Sequence, residues 1–299
     1  MNIMQAYEMF MQDQKFKGNS PYTLIYYRDT LLRFISFCGS DLDIEDLDII
    51  LFKSYQLYIY ENFKVNKISV RTYSRAVKVF YRYLYFENLI DVDINRLQLM
   101  KANKDVILPL SDKEIKSLLS VFDNSMLITC RNKTIIMLML DCGLRLGEVV
   151  KLKVSDIDLI NGYCLINGKG SKQRVVPVGS ALSGQLAVYM EYRTAVTSDS
   201  KNLFLTIDNR SITENTVKML FARIKKKDGL KRIYPHLLRH TFATNFICTG
   251  GNLEVLRVLM GHSTVNITQI YIHLATQKHL KDSYNSYLDS LLKGKNSAE

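Results

Sequence analysis

Two mainly α-helical domains, the second carrying a small antiparallel β-sheet, are the fold predicted by three observations on this chain. Its 299 residues exceed what one ordinary hydrophobic core organises and suit two. Apolar residues recur at helical spacing in both halves. One stretch alone, Tyr163 to Val178, reads instead as two short strands around a polar loop. Hydrophobic residues make up 47% of the chain and charged residues 23%, which supplies enough apolar surface to bury and argues against wholesale disorder.

The elements follow in chain order. Ser20 before Pro21 is an N-cap followed by a proline at the first helical position, and Leu24, Tyr27, Leu31, Phe34 and Cys38 then line one helix face. Asp41 to Asp48 carries five carboxylates and no base, so it should face away from any phosphate. From Ser69, Val70, Tyr73, Val77, Phe80 and Leu84 form an apolar stripe. Arg71, Arg75, Lys78 and Arg82 form a second face of the same helix, and no acid interrupts it before Glu87. This favours phosphate contact over an ordinary solvated surface. The segment KANKDVILPL, 101–110, loses periodicity and contains Pro109, so we place a linker there, between domains 1–100 and 111–299.

Ser111 with Glu114 is a capping-box pattern, and Thr134 to Cys142 is a very apolar helix. Asn161-Gly162 precedes the hairpin, in which Pro177 is tolerable on an edge strand. Tyr234-Pro235-His236 opens a helix that stops at Thr249-Gly250-Gly251. Asn252 caps the next, which ends at Gly261.

Lys and Arg total 40 against 29 Asp and Glu, a net charge of +11. Up to Leu108 there are 14 basic and 13 acidic residues, and beyond it 26 and 16. A polyanion is the expected partner, nucleic acid before membrane, because no amphipathic lipid anchor is visible. The longest aliphatic run, Ile135 to Leu140, is far too short to cross a bilayer, and a cytoplasmic location is expected. Cys38, Cys130, Cys142, Cys164 and Cys248 are odd in number and never form Cys-x-x-Cys, so they read as reduced core residues.

All five histidines lie between positions 236 and 279. His236 and Arg239 share a helix face, while His240 points elsewhere. The i, i+4 pair His236 and His240 has the spacing of a metalloprotease helix, but Leu237 stands where that chemistry needs Glu, so no metal is expected. His262 directly follows the helix-ending Gly261. Together with these stand Arg145 in CGLRLGEVV, Lys169 in NGKGSKQR and Tyr271 in TQIYIH, nine residues after His262.

In this ordered set the chain resembles the tyrosine recombinase (phage integrase and Xer) family. The match runs from Leu110 to Leu280, with a weaker one over Gly18 to Leu89 to the family's helical, SAM-like core-binding domain. The chemistry wants the same residue types independently. Cutting a phosphodiester without a metal or other cofactor requires cations over the non-bridging oxygens, a nucleophile and an acid for the leaving oxygen.

The resemblance implies that Arg145 and Arg239 clamp the phosphate and that Lys169 protonates the departing 5′ oxygen, with Lys172 as the competing acid. It implies that His236 and His262 position the phosphate and move protons, that Glu148 supports the site from behind, and that Tyr271 attacks phosphorus. It further implies that the two domains close around double-stranded DNA as a C, and that four copies assemble in a synaptic complex. Accessory DNA-bending proteins or a second recombinase are further candidate partners. The C-terminal segment lacks the His-Pro-rich ending common in chromosomal Xer proteins, which favours a mobile-element enzyme. Leu280, Tyr284, Leu288 and Leu291 form an apolar stripe that by spacing alone suits docking against its own domain as well as a partner, and the resemblance implies that it links protomers. Two rivals remain at this point: a type IB topoisomerase acting without synapsis, and a DNA-binding regulator with the fold and no turnover.

Overall fold

The computed structural model describes residues 1–102, 107–168 and 173–261 and divides the chain into two units, Met1–Val106 and Ile107–Glu299. Each unit has its own hydrophobic core.

The first unit contains α1 (Ile3–Phe16), α2 (Pro21–Cys38), α3 (Ile49–Asn62) and α4 (Lys67–Phe86). The Ser20 hydroxyl accepts the Thr23 N–H and starts α2 with Pro21 in its first turn. Asn2 and Gln5 form a reciprocal cap on α1, a helix that apolar spacing did not single out. Phe10 on α1 meets Tyr27, Phe80 and Tyr83 edge-on at centroid distances of 5.3–5.5 Å. Along α4, Val70, Val77, Phe80 and Leu84 are buried, as their spacing requires. Two of the five acids between 41 and 48 cap helix starts. Asp48 caps α3 through the Leu51 N–H, and Asp43 accepts the Glu45 N–H and pairs with the Met1 ammonium.

The second unit contains α5 (Asp112–Leu119), α6 (Leu127–Asp141), α7 (Leu146–Lys151), β1 (Ile157–Asp158), β2 (Tyr163–Asn167), β3 (Gln173–Pro177), α8 (Ser180–Thr194), α9 (Glu214–Ile224), α10 (Pro235–Cys248) and α11 (Leu253–Met260). Helix α6 packs against both α8 and α10 and buries residues around its circumference, among them Cys130, Ile135, Leu138 and Met139. That central position explains why its sequence is apolar without a clean stripe.

The sheet is antiparallel in the order β1-β2-β3, so β3 is an edge strand and Pro177 ends it without costing a ladder bond. Cys164 pairs with Val176 and Ile166 with Arg174, and opposed residues share a face of the sheet. Cys164, Ile166 and Val176 are buried, so Arg174 also points to the core side, whereas its neighbour Val175 is exposed.

The expected linker overreaches on its C-terminal side, because 107–110 is a strap bonded into the second unit. Leu110 is buried there and its N–H donates to Thr241 Oγ1 at 2.9 Å. Arg232 donates to the carbonyls of Leu108 and Pro109, both at 2.8 Å, and His240 Nε2 bonds the Ile107 carbonyl at 2.7 Å. Among the described residues, no helix is long and apolar enough to cross a membrane.

Candidate active site

The site is built around the C-terminal end of α11. Gly261, in the left-handed conformation at φ +59°, stops the helix and leaves its last carbonyls without intrahelical donors. Three successive carbonyls are met by three different arginines. Arg174 Nε donates to Leu259 at 2.6 Å, Arg239 Nη2 to Met260 at 2.6 Å, and Arg145 Nη2 to Gly261 at 3.2 Å. The negative end of a helix dipole is a favourable place for cations, and the next residue in the chain is His262.

Arg239, on α10, is 5% exposed, and its Nη1 donates to the Gly143 carbonyl. Gly143 has φ +61°, and a Cβ there would lie 2.4 Å from the Phe242 ring, so both backbone and space demand glycine. Arg145 stands at the start of α7. Its backbone N–H donates to Glu148 Oε2 at 2.8 Å and its Nη1 to Glu148 Oε1 at 2.9 Å. With 38% of its side chain exposed, Arg145 is the solvent-facing member of the expected clamp.

Glu148 is 8% exposed and takes two further bonds from Arg174, Nη1 to Oε1 at 2.9 Å and Nη2 to Oε2 at 2.8 Å. Burial pushes the Glu148 carboxyl up, but the bonds from Arg174 and Arg145 outweigh it and hold the group below its ordinary value, hence ionised. Arg174 is the residue that sequence reasoning missed. Its signal was present in the phase of RVVPV, where Arg174 falls in step with the buried Val176.

His236 is exposed on the first turn of α10, three residues before Arg239. His240 instead faces the strap, and burial lowers its pKa. Among the described residues, no group of three or more His, Cys, Asp or Glu side chains could hold a metal. All five cysteines are free thiols. Cys130, Cys142 and Cys164 are buried and Cys38 and Cys248 half-buried, with burial pushing the Cys164 thiol up to about 12.

The cationic face of α4 is divided. Arg75 and Arg82 are exposed, but Arg71 donates to the Met100 carbonyl at 3.4 Å and Lys78 to the Leu97 carbonyl at 2.6 Å, tying down the segment after α4. Lys169, Lys172, His262, Tyr271 and the stripe from Leu280 to Leu291 lie outside the described residues.

Residues 109–278 match the profile of the Phage integrase family. The chain is 32% identical over 282 residues to the tyrosine recombinase XerC of Bacillus pumilus strain SAFR-032, covering 91% of this chain and 92% of that one. The crystal structure of XerA recombinase, 25% identical, covers 94% of this chain and 100% of its own at a TM-score of 0.55. The Tn1549 transposon integrase, solved in complex with a circular intermediate DNA, shares the fold at a TM-score of 0.75 and 19% identity, with 99% of each chain covered. The family match over more than half of the chain and the similarity to XerC over nine-tenths of it agree: the chain is a member of the phage integrase family of tyrosine recombinases, enzymes of site-specific DNA recombination.

Proposed function

We propose that the chain cuts and rejoins double-stranded DNA through a 3′-phosphotyrosyl bond at Tyr271, without a metal or other cofactor. The observation that carries this reading is the placement of the Arg145 and Arg239 guanidinia on consecutive carbonyls at the end of α11, one residue before His262 in the chain. Planar guanidinia held on consecutive carbonyls suit the non-bridging oxygens of one phosphate. In the step we assign, the Tyr271 oxygen bonds phosphorus as the bond to the 5′ oxygen breaks. Lys169, or Lys172 in its place, gives a proton to that leaving oxygen, and His236 and His262 take up the phenol proton and steady the phosphate. A free 5′-hydroxyl reverses the same step on another strand, so the bond energy is conserved in the protein.

Arg75 and Arg82 on α4 supply phosphate contacts, with Arg71 and Lys78 contributing the donors their backbone bonds leave over. The stripe Leu280, Tyr284, Leu288 and Leu291 supports assembly of a homotetramer on two DNA sites. A head-to-tail chain of such contacts closes into a ring.

The test begins by selecting a random-sequence duplex pool for binding, which yields the chain's own site. Two labelled duplexes carrying that site are then incubated with the protein. Joined products exchanging the flanks of the two duplexes are expected. Relaxation of supercoiled DNA with no exchange between sites would assign a topoisomerase instead, and binding with neither reaction a regulator. Truncation after Thr276 should leave single-site binding measurable and abolish exchange.

A further inference from the structure

We infer that Arg174, outside the residues assigned above, is a positioning residue for phosphodiester cleavage: it holds Glu148 and the end of α11 so that Arg145 is presented to the phosphate. The inference rests on the recombinase reading of the site and adds a residue to it.

Four facts carry it. Arg174 is a cation on the inward face of an edge strand, with 8% of its side chain exposed, a place where an unpaired charge would be very costly. Each of its three guanidinium nitrogens donates one bond, Nη1 and Nη2 to the Glu148 carboxylate and Nε to the Leu259 carbonyl. Each Glu148 oxygen accepts one bond from Arg174 and one from Arg145, but Arg174 uses its guanidinium for both, whereas Arg145 reaches Oε2 with its backbone N–H and only Oε1 with its guanidinium. A Cβ at Gly261 would lie 3.2 Å from Arg174 Nη1 and 3.5 Å from Arg145 Nη1, which places both guanidinia against the helix stop before His262.

Charge decides what this sharing does. With Arg145 alone, Glu148 would be matched one to one and would neutralise the cation meant for the phosphate. The second guanidinium leaves the trio with one net positive charge and takes half of the carboxylate's acceptor capacity. The same side chain also ties β3, which begins at Gln173, to the helix end that precedes His262 in the chain. Such outer partners typically cost 10–100-fold when removed from metal sites, and a comparable effect is expected around an arginine clamp.

The test compares wild type with Arg174→Gln and Arg174→Lys in single-turnover cleavage at saturating protein. The selected duplex is nicked so that the covalent product is trapped. Two versions are used: one with an ordinary scissile phosphate, and one with a methylphosphonate whose two diastereomers each lack one charged non-bridging oxygen.

We expect Arg174→Gln to cleave the phosphate about 10–100-fold more slowly, with the DNA dissociation constant within about 3-fold of wild type. In one diastereomer the slowdown should shrink to less than about 3-fold, because the oxygen that Arg145 neutralises is already gone. Arg174→Lys keeps the charge, loses the fork and should show the same pattern more weakly, and it carries the comparison if Arg174→Gln does not fold. Equal slowing on phosphate and both methylphosphonates means a merely structural role and overturns the inference, as does no slowing on any of them. The wild-type arm tests the underlying reading separately: no adduct from wild type on the ordinary phosphate overturns that reading and this assignment with it.

Discussion

The backbone N–H and the guanidinium of Arg145 bond to different oxygens of the same carboxylate, that of Glu148. One residue three positions on thus fixes both where α7 begins and where the side chain of Arg145, the residue that caps it, points. Glu148 is buried and also serves Arg174, so its removal leaves a buried cation without its counter-charge. Glu148→Gln should cost about 3–5 kcal/mol of stability, read as a lower urea midpoint at unchanged m-value. A loss under about 1 kcal/mol would mean that Arg174 finds water or another acceptor.

Gly143 joins a φ of +61° to a Cβ position already filled by the Phe242 ring, and its carbonyl accepts from Arg239. Gly143→Ala should therefore cost at least about 2 kcal/mol in urea unfolding and slow cleavage as well, since the Arg239 partner moves with the strained peptide. Unchanged cleavage in a destabilised protein would separate this loop from the site.

Arg239→Lys and Arg145→Lys keep a charge and lose the planar fork. Cleavage of the trapped-product duplex should fall by at least about 100-fold for each, with DNA binding nearly intact. Neither wild-type nor variant cleavage should respond to EDTA. Loss of wild-type activity on chelation, restored by a divalent ion, would contradict a clamp made of side chains alone.

The strap 107–110 and α5 are held to the turn before α10 by Arg232, whose hydrogen bonds keep the Glu114 carboxyl at about 2 against an ordinary value of 4.5. A depressed carboxyl stabilises the fold fully above pH 4.5, and this contribution drains as the pH falls from 4.5 toward 2. The stability difference between wild type and Glu114→Gln should be constant from pH 7 to pH 5 and should shrink below that, measured by urea unfolding at each pH. A difference that grows on acidification has the wrong sign for this pair.

Much of this architecture is legible in the chain because its signals are local. Ser111 and Glu114 form their box within one turn, Asn252 and Gly261 bound one helix, and the α4 stripe needs only its own period. What escapes is what depends on distant partners. The strap looks like a linker until Arg232, His240 and Thr241, more than 120 residues away, bind its backbone. Arg71 and Lys78 look identical to Arg75 and Arg82 along the helix, yet only the former pair meets the carbonyls of Met100 and Leu97. Arg174 is one more base in a basic chain until the β2–β3 register turns it inward toward Glu148. For the candidate site, the ordered motifs named Arg145, His236 and Arg239, the family resemblance added Glu148, and the fold added Arg174 and the α11 carbonyls that gather the arginines.

The central claim, cleavage by a tyrosine nucleophile beside the arginine cluster, is tested most directly by trapping the covalent product on the nicked selected duplex and sequencing the DNA-bearing peptide. The account predicts that wild type forms a protein–DNA adduct on the 3′ phosphate through the peptide containing Tyr271, and that Tyr271→Phe binds the duplex but forms none. An adduct that persists in Tyr271→Phe, or that maps to any other of the 18 tyrosines, would contradict it.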